Sequence, residues 1–278
     1  MSAAQAIGGG TPGDASRPLD LVVLGAAPAG LIRAFEHVRA APRDEVRVVD
    51  TAPEPGGTWR TQRSEGFSCE LGPQGFGLDA ARERLLAGLG LAGQLVRAQV
   101  EVPLPLRRLA FAGAGPDAPL VTLRTGVEDL VQALRRHLGP RLLLGRPIRT
   151  RHASGDGYVV GLGGAVQTEL HTRALHDARD ADPQGPPSSV HLGFWTGDAL
   201  PFLRGAGILL DAPPLRAALY VSNVFPGRAV PGRFLVRVVA DVAPALAPES
   251  LAARAEAALR AATGLRGPLL FRRVTPTR

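Results

Sequence analysis

The sequence predicts an α/β fold built on a parallel sheet. Three observations carry that prediction: a short apolar run that enters a glycine turn, a helix-like segment that leaves it, and a second apolar run that ends in an acid. Leu21-Val22-Val23-Leu24 is a run of β-formers of the length expected for a buried strand. It leads into Gly25-Ala26-Ala27-Pro28-Ala29-Gly30 and then into Leu31 to Arg39, which reads as a helix. Strand, glycine turn and helix in that order make a dinucleotide-binding βαβ unit. A helix N-terminus offers unpaired N–H groups and a partial positive charge to a pyrophosphate. In this reading Gly25 makes the tight turn and Gly30 lets the helix lie close to the strand. Pro28 and Ala29 complete the turn, and Ala27 replaces the middle glycine of GxGxxG, so that a methyl stands where the diphosphate should touch.

The second apolar run, Val46-Arg47-Val48-Val49, ends in Asp50, 20 residues beyond Gly30. An acid at that distance, at the end of a strand, suits a ribose hydroxyl. The alternative is a unit that keeps this shape and binds nothing.

Composition sets the limits. A chain of 278 residues, 45% hydrophobic and 21% charged, can bury a real core as one large or two modest domains. All 32 basic residues are arginine, and 25 acids leave a net charge of +7. A compositional bias toward Arg, Ala, Gly and Pro explains this, although a positive field also attracts anionic partners. Aromatics are only 5% and no basic run is long, which speaks against nucleic-acid binding. Cys69 is the only cysteine, so an intrachain disulfide and a cysteine metal cluster are excluded, in keeping with a reducing, cytoplasmic setting. Residues 1–18 lack a charged n-region and an apolar h-region and read as a flexible leader. No apolar stretch reaches the roughly 18 residues that span a bilayer, so the expected protein is soluble, or at most peripheral to a membrane.

Beyond Asp50, Thr51 to Thr61 is a loop by its Pro and Gly content, and Gly66 to Phe76 reads as a short strand entering a second glycine loop. Asp50, Gly56-Gly57, Arg60-Thr61 and Glu70-Leu71-Gly72-Pro73 keep a spacing that resembles the FAD-dependent amine oxidase superfamily, and most closely its protoporphyrinogen oxidase branch. The basic residue that the branch carries after the Gly pair is Thr58 here. Ser222-Asn223-Val224-Phe225-Pro226-Gly227-Arg228-Ala229-Val230-Pro231-Gly232 is similar to the branch's Ser-x-x-Phe-Pro-x-Arg-x-Pro segment, and Leu200 to Leu210 to its Gly-x-Gly-x-Leu strand.

The resemblance implies a Rossmann-like FAD-binding domain with a central parallel sheet, plus a reduced substrate domain. It implies FAD as the cofactor, held by Gly25, Ala27, Pro28, Ala29, Gly30, Asp50, Gly56, Gly57, Thr58, Arg60, Gly72, Pro73, Gln74 and Ile148. Ile148 ends the expected third strand, Leu142 to Ile148, under the adenine. The implied reaction is dehydrogenation of a porphyrinogen-type small molecule by hydride transfer to the flavin, with no general base assigned. Family members continue into a last Gly-rich strand and helix that cover the flavin. The expectation for a chain ending at Arg278 is that it keeps the ADP grip and loses much of the ring grip, unless a partner chain completes the site. A catalytically silent remnant that serves as a binding or scaffold protein is the alternative.

The expected organisation is a leader (1–18), the βαβ unit with its glycine loops (19–76), a substrate-domain-like insertion (77–125), a return to the nucleotide domain (126–165), a linker (166–189) and a remnant of the substrate domain (190–278). Within it, Asp79 to Val100 reads as an amphipathic helix and Leu104 to Phe111 as a strand or extended arm. Gly126 to Gly139 reads as a helix with Leu130, Leu134 and Leu138 on one face. Gly155-Asp156-Gly157 reads as a turn, Phe234 to Ala240 as a strand, and Glu249 to Thr263 as an Ala-rich helix closed by Gly264. Histidines 37, 137, 152, 171, 176 and 191 show no metal-ligand spacing. Cys69, beside Glu70, is expected to be a small core residue rather than a nucleophile. Phe194 and Trp195 are read as core, and solvated surface charge is the reading for nearly all arginines, Arg60 excepted.

Overall fold

The computed structural model describes residues 17–164, 167–179, 188–197, 203–241 and 246–275. Residues 1–16 of the expected leader and Pro183-Gln184-Gly185-Pro186-Pro187 of the expected linker lie outside them. The fold is mixed α/β, and the chain divides into two compact units. The first is drawn from Met1–Pro55 and Leu138–Arg179, the second from Gly56–His137 and Asp180–Arg278.

The first unit is the Rossmann-like one. Its strand Leu19–Leu24 pairs in parallel with Val46–Val49 on one side and with Thr168–Asp177 on the other, and Leu142–Leu143 continues the parallel set. A hairpin, Ile148–Ser154 and Gly157–Leu162, extends the sheet on the far side of Thr168–Asp177 to six strands. Val22, Leu24, Val49, Val160 and Leu162 form the core, and Ile148 packs against it. Helix Pro28–Ala40 starts with Pro at its first turn, where a missing N–H costs nothing, and buries Leu31, Ala34 and Phe35.

Two sequence expectations change in this unit. The expected strand Leu142 to Ile148 is interrupted at Gly145, whose φ of +66° turns the chain, so Ile148 starts a new strand instead of ending the third one. The segment read as the start of a linker is the ten-residue strand Thr168–Asp177. It had no legible period because few of its side chains are buried, while its backbone is paired on both edges.

In the second unit a hairpin, Thr61–Ser64 and Phe67–Glu70, closes on Glu65-Gly66. Both turn residues have positive φ, the geometry that matches strand twist. A four-stranded sheet is ordered Leu95–Arg97, Leu120–Leu123, Gly75–Gly77, Phe111–Ala112. A five-stranded antiparallel sheet is ordered Gly207–Ala212, Leu215–Leu219, Arg233–Ala240, Ser188–Trp195, Leu269–Thr275. Helix Glu128–Leu138 buries Leu130, Leu134 and Leu138 as its spacing predicts, and Gly139 follows with φ +49°. It belongs to this unit, since Val131 fills the space above Gly56 and Glu128 accepts the Thr61 N–H at 3.0 Å. Helix Pro248–Thr263 ends on a left-handed Gly264.

Four further expectations are corrected here. Leu104–Ala110 is a helix rather than an extended arm, because Pro105 fits a first turn and Leu106 and Ala110, four apart, are buried together. The long helix read from Asp79 to Val100 is shorter, Ala80–Gly88, and Gly90 at φ +73° ends it. The strand read from Leu200 to Leu210 starts at Gly207, and 198–202 lie outside the described residues. Phe194 is core, but Trp195 is 47% exposed. Among the described residues no helix is long and apolar enough to cross a membrane.

The closest approach in the first unit is at Gly30, where an added Cβ would stand 2.0 Å from the Gly25 carbonyl oxygen. Gly30→Ala is expected to destabilise the chain by roughly 1–3 kcal/mol through overpacking, read as a lower urea midpoint. Gly93→Ala, at a site with nothing within 4 Å, should leave it within about 0.5 kcal/mol.

Candidate functional site

The turn that ends the first strand is built by backbone contacts. Gly25, at φ +100°, donates its N–H to Val49 C=O at 2.8 Å, so the turn is hung on the second strand. Asp50 follows that strand. Its carboxylate accepts the Ala26 N–H at 2.6 Å and the Ala52 N–H at 2.8 Å. Its backbone joins Leu143 C=O and Arg146 N–H at 3.1 and 2.9 Å. A carboxylate has about four lone-pair sites, so two remain for ligand hydroxyls.

Ala27 is the helix N-cap, extended at φ −68° and ψ 165°, with no side chain to cap the first amides and no acid in the first turn. Pro28 has no N–H, and the amides of Ala29 and Gly30 have no intrahelical acceptor. Ala27 is half-buried and Ala29 exposed. The result is an uncapped, electropositive helix start next to a strand-end carboxylate. Gly25, Ala27, Pro28, Ala29, Gly30 and Asp50 are thus brought together. Ile148 packs against the core of the same sheet.

Sequence reasoning missed the third wall of this turn. Asp177 ends the strand beside Leu24, and Ala178 donates its N–H to Leu24 C=O at 2.8 Å. Arg179 then lies against Gly25, with Cγ 3.1 Å from the place of an added Cβ. The Arg179 guanidinium donates to Asp177 at 2.8 and 2.5 Å, and Arg151 pairs with the same carboxylate. The Arg179 hydrogen bond holds the Asp177 carboxyl down from 3.8 to about 2.

In the second unit, Gly56 and Gly57 take positive φ (+101° and +56°) and Trp59 N–H closes the loop on Gly56 C=O at 2.9 Å. Leu71 N–H donates to Arg60 C=O at 2.8 Å, and Gly72 lies so close to Thr58 that an added Cβ would be 2.7 Å from its carbonyl oxygen. Gly57, Thr58, Arg60 and Leu71 line a cavity of about 280 Å³ with Arg273, Val274 and Thr275. Gln74 is fully buried and 3.4 Å from His191 Nε2, while Pro73 lies between Gly72 and Gln74 at the loop.

Below that loop is a buried charge cluster. Glu70 pairs with Arg228 at 2.9 Å and accepts Thr61 Oγ1 at 2.7 Å and the Val127 N–H at 3.3 Å. Arg228 also donates to Thr122 Oγ1 and Leu123 C=O at 2.6 and 3.1 Å. The two residues come from the two motifs that carry the resemblance, so those motifs meet as a salt bridge. Burial pushes the Glu70 carboxyl up, and the Arg228 charge opposes that. Arg237, also fully buried, donates to Gly72 C=O. Burial lowers it to about 10, so it stays charged at neutral pH. Burial together with Arg237 and Arg273 holds His191 well below its ordinary value, in the neutral form. Cys69 is buried and its thiol is pushed up to about 12, first by burial and then by Glu70, which keeps it from being a thiolate. Arg228 was legible as part of a motif but not as a partner of Glu70, and Arg237 and His191 only as single polar residues within apolar runs. Among the described residues no group of His, Cys, Asp and Glu could hold a metal ion.

Residues 23–89 match the family model of an NAD(P)-binding Rossmann-like domain. No curated protein matches the sequence. Among solved structures, a protoporphyrinogen oxidase candidate from Exiguobacterium sp. 255-15 is similar at TM-score 0.69 and 15% identity, over 93% of this chain and 86% of that one. Putrescine oxidase bound to putrescine is similar at TM-score 0.64 and 15% identity, over 93% and 85%. Reduced UDP-galactopyranose mutase is similar at TM-score 0.60 and 14% identity, over 93% and 81%. These likenesses establish the fold.

Two outcomes follow from the site. Glu70→Gln leaves Arg228 buried without its counter-charge and is expected to cost about 3–5 kcal/mol of unfolding free energy. The double variant Glu70→Gln/Arg228→Met should recover part of that loss in the same urea titration. Asp177, whose folded pKa is depressed, contributes stability that is present above about 3.8 and is lost as pH falls through about 2. Melting curves across that window should therefore be flatter for Asp177→Asn than for the native chain.

Proposed function

We propose that the chain is an FAD-dependent oxidoreductase, and the observation that carries this is the uncapped helix start beside the Asp50 carboxylate. The residues of the first unit fit the ADP portion of the cofactor. The first-turn amides face a diphosphate without a competing acid. Asp50 holds the turn through Ala26 and keeps capacity for two ribose hydroxyls, which favours an unphosphorylated ribose. Gly30 keeps the helix close enough to the strand for its amides to reach the ligand. For Gly56, Gly57, Thr58, Arg60, Gly72, Pro73, Gln74 and Ile148 the cofactor role is proposed on the resemblance. Bound, FAD supplies a ring that accepts a hydride; the protein's part is to orient substrate against it and to exclude water.

The porphyrinogen-type substrate is the finer part of the proposal. It is supported by the Ser222 to Pro231 segment, whose Arg228 pairs with Glu70 of the Glu-Leu-Gly-Pro motif. No side chain is assigned as acid or base. A small-molecule substrate, a cytoplasmic setting, at most peripheral membrane contact and a partner chain that completes the flavin site belong to the same proposal.

One observation favours the silent-remnant reading. The strand next to the turn closes with Asp177-Ala178-Arg179, and Arg179 lies against Gly25.

A spectrum separates the two readings. The purified chain is expected to show bound flavin, or to take up added FAD, and to prefer it to NADP. Ala27→Gly should tighten FAD binding by roughly 1 kcal/mol, the scale of one methyl of misfit. Colourless protein that refuses added FAD would favour the remnant.

A further inference from the structure

The second unit carries a cavity whose charge is unbalanced. Its lining is Gly57, Thr58, Arg60, Leu71, Arg273, Val274 and Thr275, with two guanidinium groups and no carboxylate. Among the described residues neither the Arg60 nor the Arg273 side chain has a hydrogen-bond or carboxylate partner. Thr275 adds a buried hydroxyl that also lacks one.

The sheet that carries Arg273 adds further positive charge. Arg273 stands directly across from His191 on the neighbouring strand, and His191 directly across from Arg237 on the next, so the three share one face of the sheet. Arg237 donates to Gly72 C=O, and Gly72 backs onto Thr58, a lining residue. In the buried layer two arginines, Arg228 and Arg237, face one acid, Glu70. An excess positive charge in this low-dielectric layer favours an anion nearby.

We propose that this cavity is an oxyanion-binding site in which Arg60 and Arg273 clamp a phosphate or carboxylate group. Guanidinium forks match the paired oxygens of both ligands, and the Thr275 hydroxyl offers a third donor. The inference deepens the cofactor reading of Gly57, Thr58 and Arg60 by adding Arg273, a residue outside every motif of the resemblance. It requires only the second unit and is tested without flavin, so failure to take up FAD would leave it standing.

The test is calorimetric titration of the full chain at low ionic strength, with inorganic pyrophosphate in one arm and succinate in the other. Saturable binding is expected in at least one arm, which identifies the phosphate or the carboxylate source. Arg273→Gln and Arg60→Gln should each weaken it by about tenfold, the scale of one charge-assisted hydrogen bond. Arg273→Lys should keep part of the affinity, and Arg136→Gln, an exposed arginine on helix Glu128–Leu138, should match the native chain. Absence of saturable binding in both arms would overturn the proposal, as would an equal loss in Arg136→Gln and Arg273→Gln.

Discussion

The buried Glu70 carboxylate is the constraint on which the second unit depends. It ends the hairpin Thr61–Ser64/Phe67–Glu70, and it joins the facing Thr61 to two segments distant in sequence: the start of the Glu128–Leu138 helix through Val127, and the Phe225 to Pro231 turn through Arg228. Arg228 then reaches Thr122 and Leu123 on the four-stranded sheet. A carboxylate with 0% exposure is tolerable only because so many of its lone pairs are met. The arrangement specifies geometry more than it adds stability. Each partner fixes where a loop must run, including the stretch from Leu71 to Gln74 directly after it.

The first unit solves a different problem, which is to leave backbone donors unsatisfied on purpose. A helix that began with Ser, Thr or Asp would spend its N-cap side chain on its own amides. Here Ala27 and Pro28 leave the first turn open. Asp50 supports the turn from outside by accepting Ala26 N–H, one residue before the cap. The same acid therefore serves the fold and remains available to a ligand. Arg179 and Asp177 close the third side, and the pairing between them keeps the arginine's charge from standing alone beside the turn.

Both units pair exposed and half-exposed arginines with acids, as Arg151, Arg173 and Arg179 in the first and Arg82 and Arg216 in the second. The second unit also seals Arg237 beneath a glycine loop and lines a cavity with Arg60 and Arg273 and no acid. An all-arginine basic set makes such burial feasible, since a guanidinium stays charged where an ammonium would lose its proton.

The sequence by itself determined the elements whose side chains report their own burial. The run Leu21 to Leu24, the glycine turn, Asp50 and the leucine face of Glu128–Leu138 were legible because period and turn chemistry are local properties. Tertiary structure decided what depends on distant partners. Thr168–Asp177 looked like a linker because backbone pairing on both edges, not apolar side chains, makes it a strand. Leu104–Ala110 is helical because its Leu106 and Ala110 find a core contributed by other segments. The pairing of Glu70 with Arg228, 158 positions apart, comes from the turn at Arg228 packing on the Phe67–Glu70 strand, and the row Arg237–His191–Arg273 from sheet register, neither of which a local pattern encodes. That is why the glycine turn could be read from the chain, while the charged cavity of the second unit could be found only in the folded protein.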